Sequence, residues 1–108
     1  MSIYRRAARV DANQAAVIAA LQAIGCVVEI IRQPVDLLVG FRGVWVPAEV
    51  KDGAKAPSAR KLKPSQAKFL ERCTVGRLQM LTLTGPEQAV REVMRVAEIQ
   101  LGLMEVAA

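Results

Sequence analysis

The chain has 108 residues, 53% hydrophobic and 23% charged, which suits a single domain with an apolar core and excludes a disordered one. Fifteen Lys and Arg against ten Asp and Glu leave a net charge of +5, a balance that favours a polyanionic partner. There is no histidine, which excludes Ser-His triads, Cys-His nucleophiles and histidine-held metal centres; chemistry must come from carboxylates, Lys, Arg, Tyr, Ser or Thr.

Residues 1–10 read as a basic arm carrying Arg5, Arg6 and Arg9. Asp11 then opens a helix predicted over roughly 12–24, with Gln14 three positions on as in a capping box. Val17, Ile18, Leu21 and Ile24 recur at helical spacing, and Gly25 suits the C-terminal cap. Three strands follow: Cys26 to Arg32, Asp36 to Phe41 and Val44 to Lys51, the last two joined by an Arg42-Gly43 turn. Residues 52–63 form a basic loop. Pro64 suits the first position of a helix reaching about Cys73. Leu78 to Leu83 is a fourth strand, and Pro86 opens a last helix. The order α-β-β-β-α-β-α predicts an α/β fold on a mixed four-stranded sheet, with the third and fourth strands parallel.

Cys26 and Cys73 lie far apart and read as two small buried hydrophobes rather than a disulfide or a zinc site. The Arg-rich start lacks the apolar stretch of a secretion signal, and no run is apolar enough to span a bilayer, so a cytoplasmic protein with no membrane partner is expected. The positive charge is concentrated. Residues 51–72 carry Lys51, Lys55, Arg60, Lys61, Lys63, Lys68 and Arg72 against Asp52 and Glu71, an excess equal to that of the whole chain.

If Arg42-Gly43 is a two-residue turn, Phe41 pairs with Val44 and Asp36 falls directly opposite Glu49. Alternation then sorts the faces. Leu37, Val39, Phe41, Val44, Val46, Ala48 and Val50 make an apolar face that can pack on the first helix. Asp36, Glu49 and Lys51 share the other. Directly opposed carboxylates, with β-carbons about 4.5–5.5 Å apart, repel each other. A hard divalent cation offsets that repulsion, since Mg²⁺ takes one or two protein carboxylates and keeps several waters. Lys51 reaches the same volume and can orient an attacking water or stabilise charge on a phosphate.

The stretch PVDLLVGFRGVWVPAEVKDG resembles the PD-(D/E)XK nuclease signature: Asp36 after a proline, a hairpin, then Glu49-Val50-Lys51. The stretches DLLVG at 36–40, EVKDG at 49–53 and SARKL at 58–62 are similar to those of small, stand-alone phage proteins of the virus-type replication-repair nuclease (VRR-NUC) class. The likeness covers roughly residues 9–85. It implies a restriction-endonuclease-like core and a Mg²⁺- or Mn²⁺-dependent endodeoxyribonuclease. Asp36 and Glu49 would be metal ligands, with the Val50 carbonyl as a third. Lys51 would be the catalytic lysine, and Gln66 a polar group near the scissile phosphate or else a solvated helix-surface residue. By the same resemblance the substrate is branched DNA, such as a Holliday junction.

Two departures stand out. Val35 separates Pro34 from Asp36, and the first helix offers Asn13 and Gln14 where such families often supply a glutamate. An amide oxygen can ligate a metal but brings no charge, which leaves one metal or two open. Lys55, Ser58, Arg60, Lys61 and Lys63 form the expected phosphate-contacting loop, which would position a duplex without reading its sequence. Trp45 shares the carboxylate face; packing is the ordinary role of a lone Trp, and stacking on a base is the alternative. Pro47 cannot donate a hydrogen bond, so the fourth strand should pair with only part of the third. The last helix is apolar on more than one side (Val90, Val93, Val96, Ile99, Leu101), which predicts a homodimer. The competing readings are a nucleic-acid-binding module without catalysis and an assembly protein built on that helix.

Overall fold

A computed structural model describes the backbone of residues 2–107 and the side-chain environments of 12–103 except residue 59. The elements are α1 (Ser2–Ala23), β1 (Val27–Ile30), β2 (Leu37–Phe41), β3 (Val44–Val50), a 3₁₀ turn (Pro57–Arg60), α2 (Pro64–Val75), β4 (Leu81–Leu83) and α3 (Pro86–Ala107). The order is the predicted α-β-β-β-α-β-α, and the sheet is mixed, with strand order β1-β2-β3-β4. β1, β2 and β3 are antiparallel neighbours, and β4 runs parallel to β3.

One boundary corrects the sequence reading. Residues 2–10 are not an arm preceding the helix, because α1 begins at Ser2 and Asp11 lies inside it rather than capping it; residue 1 lies outside the described residues. Ser2 to Val10 contains no Gly or Pro, and its Ala and Arg residues are strong helix formers, so nothing stops the helix from extending back. The other end is as expected. Gly25 adopts φ +96°, Cys26 N–H donates to the Leu21 carbonyl at 3.0 Å and Gly25 N–H to that of Gln22 at 3.0 Å. These are the two bonds of a Schellman cap.

The β2–β3 hairpin turns on Arg42 (φ 50°) and Gly43 (φ 83°), both left-handed, as a type I′ turn requires. The Arg42 guanidinium lies 4.8 Å from the centre of the Phe41 ring, a favourable contact for a residue that must adopt positive φ. Phe41 pairs with Val44 and Leu37 with Ala48, the predicted register. Leu37, Val39, Phe41, Val46 and Ala48 are buried against Val17 and Leu21 of α1 and Ala89, Val93, Val96 and Ala97 of α3. α1 and α3 therefore share the apolar face of the sheet. α1 also packs along α3 and covers part of the girth that a sheet face alone would leave bare. Ile99, Leu101 and Leu103 remain exposed.

β4 has only three residues and pairs with β3 from Ala48 to Val50, immediately after Pro47, so the proline falls where no ladder bond to β4 is needed. Beyond the strands, Lys51 N–H continues the ladder to the Leu83 carbonyl at 2.8 Å and Gly53 N–H reaches that of Thr84 at 3.0 Å. A β-carbon at Gly53 would sit 2.6 Å from the same Thr84 oxygen, so this close approach needs glycine. Cys26 and Cys73 are both buried and free. Among the described residues, no helix is long and apolar enough to cross a membrane.

Candidate active site

Asp36 stands one residue before β2, at the end of a loop that doubles back on itself. The Ile31 and Arg32 amides both donate to the Asp36 carbonyl, at 2.9 and 3.2 Å. The intervening Val35 is fully buried, so the residue that separates Pro34 from Asp36 anchors the loop. Continuing the β2–β3 register by one pair sets Asp36 against Glu49, and their contacts fit that placement. The Asp36 amide donates to Glu49 Oε1 at 3.1 Å, and the Val50 amide donates to Asp36 Oδ2 at 2.8 Å. Each carboxylate is thus held by the backbone of the opposite strand.

Lys51, two residues on and on the same face, places Nζ 3.2 Å from Glu49 Oε2. α2 closes the group from outside the sheet. Gln66, at its third position, is 7% exposed and its amide nitrogen donates to Glu49 Oε2. Its oxygen accepts from Lys51 Nζ at 3.3 Å and from the Lys63 amide at 2.9 Å, the latter being half of a capping box. Gln66 is therefore not a solvated surface residue. The four residues expected to be catalytic, Asp36, Glu49, Lys51 and Gln66, all meet in one connected group.

Asn13 does not lie among the carboxylates' partners. Its side-chain amide donates to the Lys51 carbonyl at 3.1 Å and so ties α1 to the end of β3, while Gln14 is half-buried nearby on the same helix. Among the described residues, no three Asp, Glu or Cys side chains gather as a metal-holding set. The donors are two carboxylates and neutral oxygens, which fits one hard divalent cation that retains several waters.

Glu49 is only 3% exposed. Burial raises its carboxyl above the ordinary Glu value of 4.5, Asp36 raises it further by hydrogen bond and charge, and Lys51 partly opposes the shift. A carboxyl raised in the folded chain binds its proton more tightly there than in the unfolded chain. The stability that this contributes is fully present below 4.5 and is lost as pH rises through the raised folded value. In EDTA, wild type should therefore lose stability relative to Glu49→Gln as pH rises through that window. Urea melts of both chains across it check this, and a difference that does not change with pH contradicts it.

The basic loop runs between β3 and α2, as the sequence predicts. Lys55, Ser58 and Lys61 are exposed on the 52–61 segment, and Arg60 is half-buried with its Nε enclosed and without a hydrogen-bond partner. Lys63 alone of the expected phosphate contacts borders the cleft beside Gln66. This cleft, about 610 Å³, is lined by Arg32, Gln33 and Pro34 of the β1–β2 loop and by Lys63, Ser65, Gln66, Lys68 and Arg72. Arg32, Lys68 and Arg72 are not among the expected site residues. Ser65, Lys68 and Arg72 recur at three and four positions along α2, a signal for one polar helix face that is available in the sequence.

Trp45 is 56% exposed on the carboxylate face, so it is not a core residue. Its ring lies across Gly40, where a β-carbon would meet it at 2.9 Å. No protein-family model, no curated protein and no solved structure matches the chain.

Proposed function

We propose that the chain is a metal-dependent DNA endonuclease of the PD-(D/E)XK kind that hydrolyses phosphodiester bonds. The observation that carries this reading is the convergence of Asp36 and Glu49 from adjacent strands with Lys51 and Gln66 bonded to the same carboxylate. Two carboxylates brought this close, one of them buried, repel each other, and Lys51 offsets only part of the cost, since burial and Asp36 still raise the Glu49 carboxyl. Asp36, Glu49 and the Val50 carbonyl would hold Mg²⁺ or Mn²⁺, which supplies Lewis acidity towards water and phosphate. Lys51 contributes a fixed positive charge where the phosphate gains negative charge, and Gln66 holds the Lys51 ammonium and the Glu49 carboxylate in place. The products are 5′-phosphate and 3′-hydroxyl ends.

The proposed substrate is branched DNA. Incubating labelled junction, flap and linear DNA with Mg²⁺, Mn²⁺ or EDTA tests this; the expected result is metal-dependent cutting of junction or flap in preference to linear duplex. A nucleic-acid-binding module without catalysis is the second reading. It is favoured by the fact that both Glu49 oxygens already have hydrogen-bond partners within the protein. No cutting of any of the three DNAs, with binding retained, is its signature.

The chain is further proposed to be a homodimer. Ile99, Leu101 and Leu103, at 42, 42 and 60% exposure, extend the apolar surface of α3 past its contact with the core. A twofold pairing is the commonest way to cover such a surface, and it places two sites on one particle. Light scattering at micromolar concentration should give twice the chain mass, and a single species at 11.7 kDa rules the dimer out.

A further inference from the structure

The cleft between the β1–β2 loop and α2 has a charge pattern that the catalytic group does not use. Arg32, Lys63, Lys68 and Arg72 line it, and no acidic residue does. Among the described residues the ion pairs are Lys51–Glu49 and Arg95–Glu92, so none of these four cations has an acidic partner. Four unpaired like charges around one concavity repel each other and focus a positive potential into it.

The backbone adds to this. Arg32 adopts φ 68°, held there by the Ile31 and Arg32 amides on the Asp36 carbonyl, so the wall opposite α2 is fixed by the same residue that supplies a carboxylate to the site. On the other wall, Ser65 and Gln66 are the second and third residues of α2, positions whose amides have no acceptor within the helix. The positive end of that helix and its free amides favour an anion. Lys68 and Arg72 are one turn apart, about 6 Å along the helix axis, of the order of the distance between successive phosphates of one strand. Gln66 belongs both to the cleft lining and to the group around Glu49. The cleft therefore leads into the site.

We propose that this cleft seats the phosphodiester backbone of one nucleic-acid strand. Lys68, Arg72 and Arg32 hold successive phosphates, and the strand continues past Gln66 to Lys51 and Glu49. This rests on the reading of the chain as a nuclease, and it adds which face of the molecule holds the strand that reaches the carboxylates.

The test is binding of a short fluorescein-labelled single-stranded DNA in EDTA, followed by anisotropy over a range of salt concentrations. One variant combines Arg32→Asn, Lys68→Gln and Arg72→Gln; Asn tolerates the left-handed backbone, and Gln is a good helix former. The control removes as many charges elsewhere, with Arg42→Asn at the hairpin tip and Arg91→Gln and Arg95→Gln on α3, across the sheet. The cleft variant should bind about tenfold more weakly or worse, and its slope of log affinity against log salt should be shallower by about 2, or roughly 0.7 for each phosphate no longer neutralised. Lys68→Gln alone, an exposed change on a helix, should account for about 0.7 of that slope. A loss in the control equal to or greater than that in the cleft variant, or no loss in either, overturns the proposal. Nothing is cut in EDTA, so these outcomes are independent of whether the carboxylates catalyse hydrolysis.

Discussion

Replacing Asp36 by Asn should slow DNA cutting about a hundredfold or more while leaving DNA binding in EDTA within about threefold of wild type. The substitution preserves shape. Asp36 Oδ2 accepts the Val50 amide at 2.8 Å, and an Asn carbonyl oxygen can accept the same bond, so the β2–β3 end keeps its geometry. What disappears is one of the two negative charges that would hold a divalent cation opposite Lys51. Glu49 also loses the neighbour that raises its carboxyl. Cutting rates measured under single-turnover conditions in Mg²⁺, with binding measured separately, check both halves. Full activity in Asp36→Asn would remove Asp36 from the chemistry.

Leu37→Ala should be among the most destabilising single changes in the chain. Leu37 is fully buried and directly follows Asp36, packed within the core that β2, β3, α1 and α3 share. Truncating a buried Leu typically costs about 2–5 kcal/mol, because the lost transfer free energy is joined by that of the cavity left behind. A domain of this size has about 5–15 kcal/mol in total, and each kcal/mol shifts the melting temperature by about 4–8 °C. Val27→Ala, at an exposed position on the edge strand, should cost far less. Urea melts of the two variants provide the comparison. A loss below about 1 kcal/mol at Leu37 would mean that β2 does not pack on the core as described.

The hairpin is legible in the sequence because its signals are local and agree with one another. Gly43 permits the tight turn, the turn length fixes the register, and strict alternation from Leu37 to Val50 then sorts apolar from polar faces. Pro47 marks where the β4 ladder begins for a similarly local reason, since it lacks a single donor. The pairing of Asp36 with Glu49 follows from the register alone and needs no tertiary information. Element ends are less legible. The fourth strand is three residues rather than six, and the first is four, because β propensity does not say how many residues find a partner.

The cleft is not legible because its walls are far apart in the chain. Arg32 looks like the last residue of a strand, and nothing local says that the loop after it turns back to face α2. Lys68 and Arg72 register in the sequence as charge without a place, and their common helix face gains meaning only when Arg32 stands opposite. Arg60 departs in the other direction. Its neighbours suggest a solvated loop, but its Nε, at the end of the 3₁₀ turn Pro57–Arg60, is enclosed. Trp45 reads by type as a packing residue, whereas Gly40 on the paired strand leaves a flat seat for the ring on the outer face.

The most direct measurement is cutting of a labelled branched DNA by wild type and by Glu49→Gln, each with Mg²⁺, with EDTA, and with Mg²⁺ restored in excess over EDTA. Glu49 is the residue on which Asp36, Lys51 and Gln66 all converge. Cutting by wild type that stops in EDTA and returns with Mg²⁺, and that is absent from Glu49→Gln under every condition, is the expected result. Cutting that persists in EDTA, or that Glu49→Gln performs at the wild-type rate, contradicts a metal-dependent nuclease built on these carboxylates.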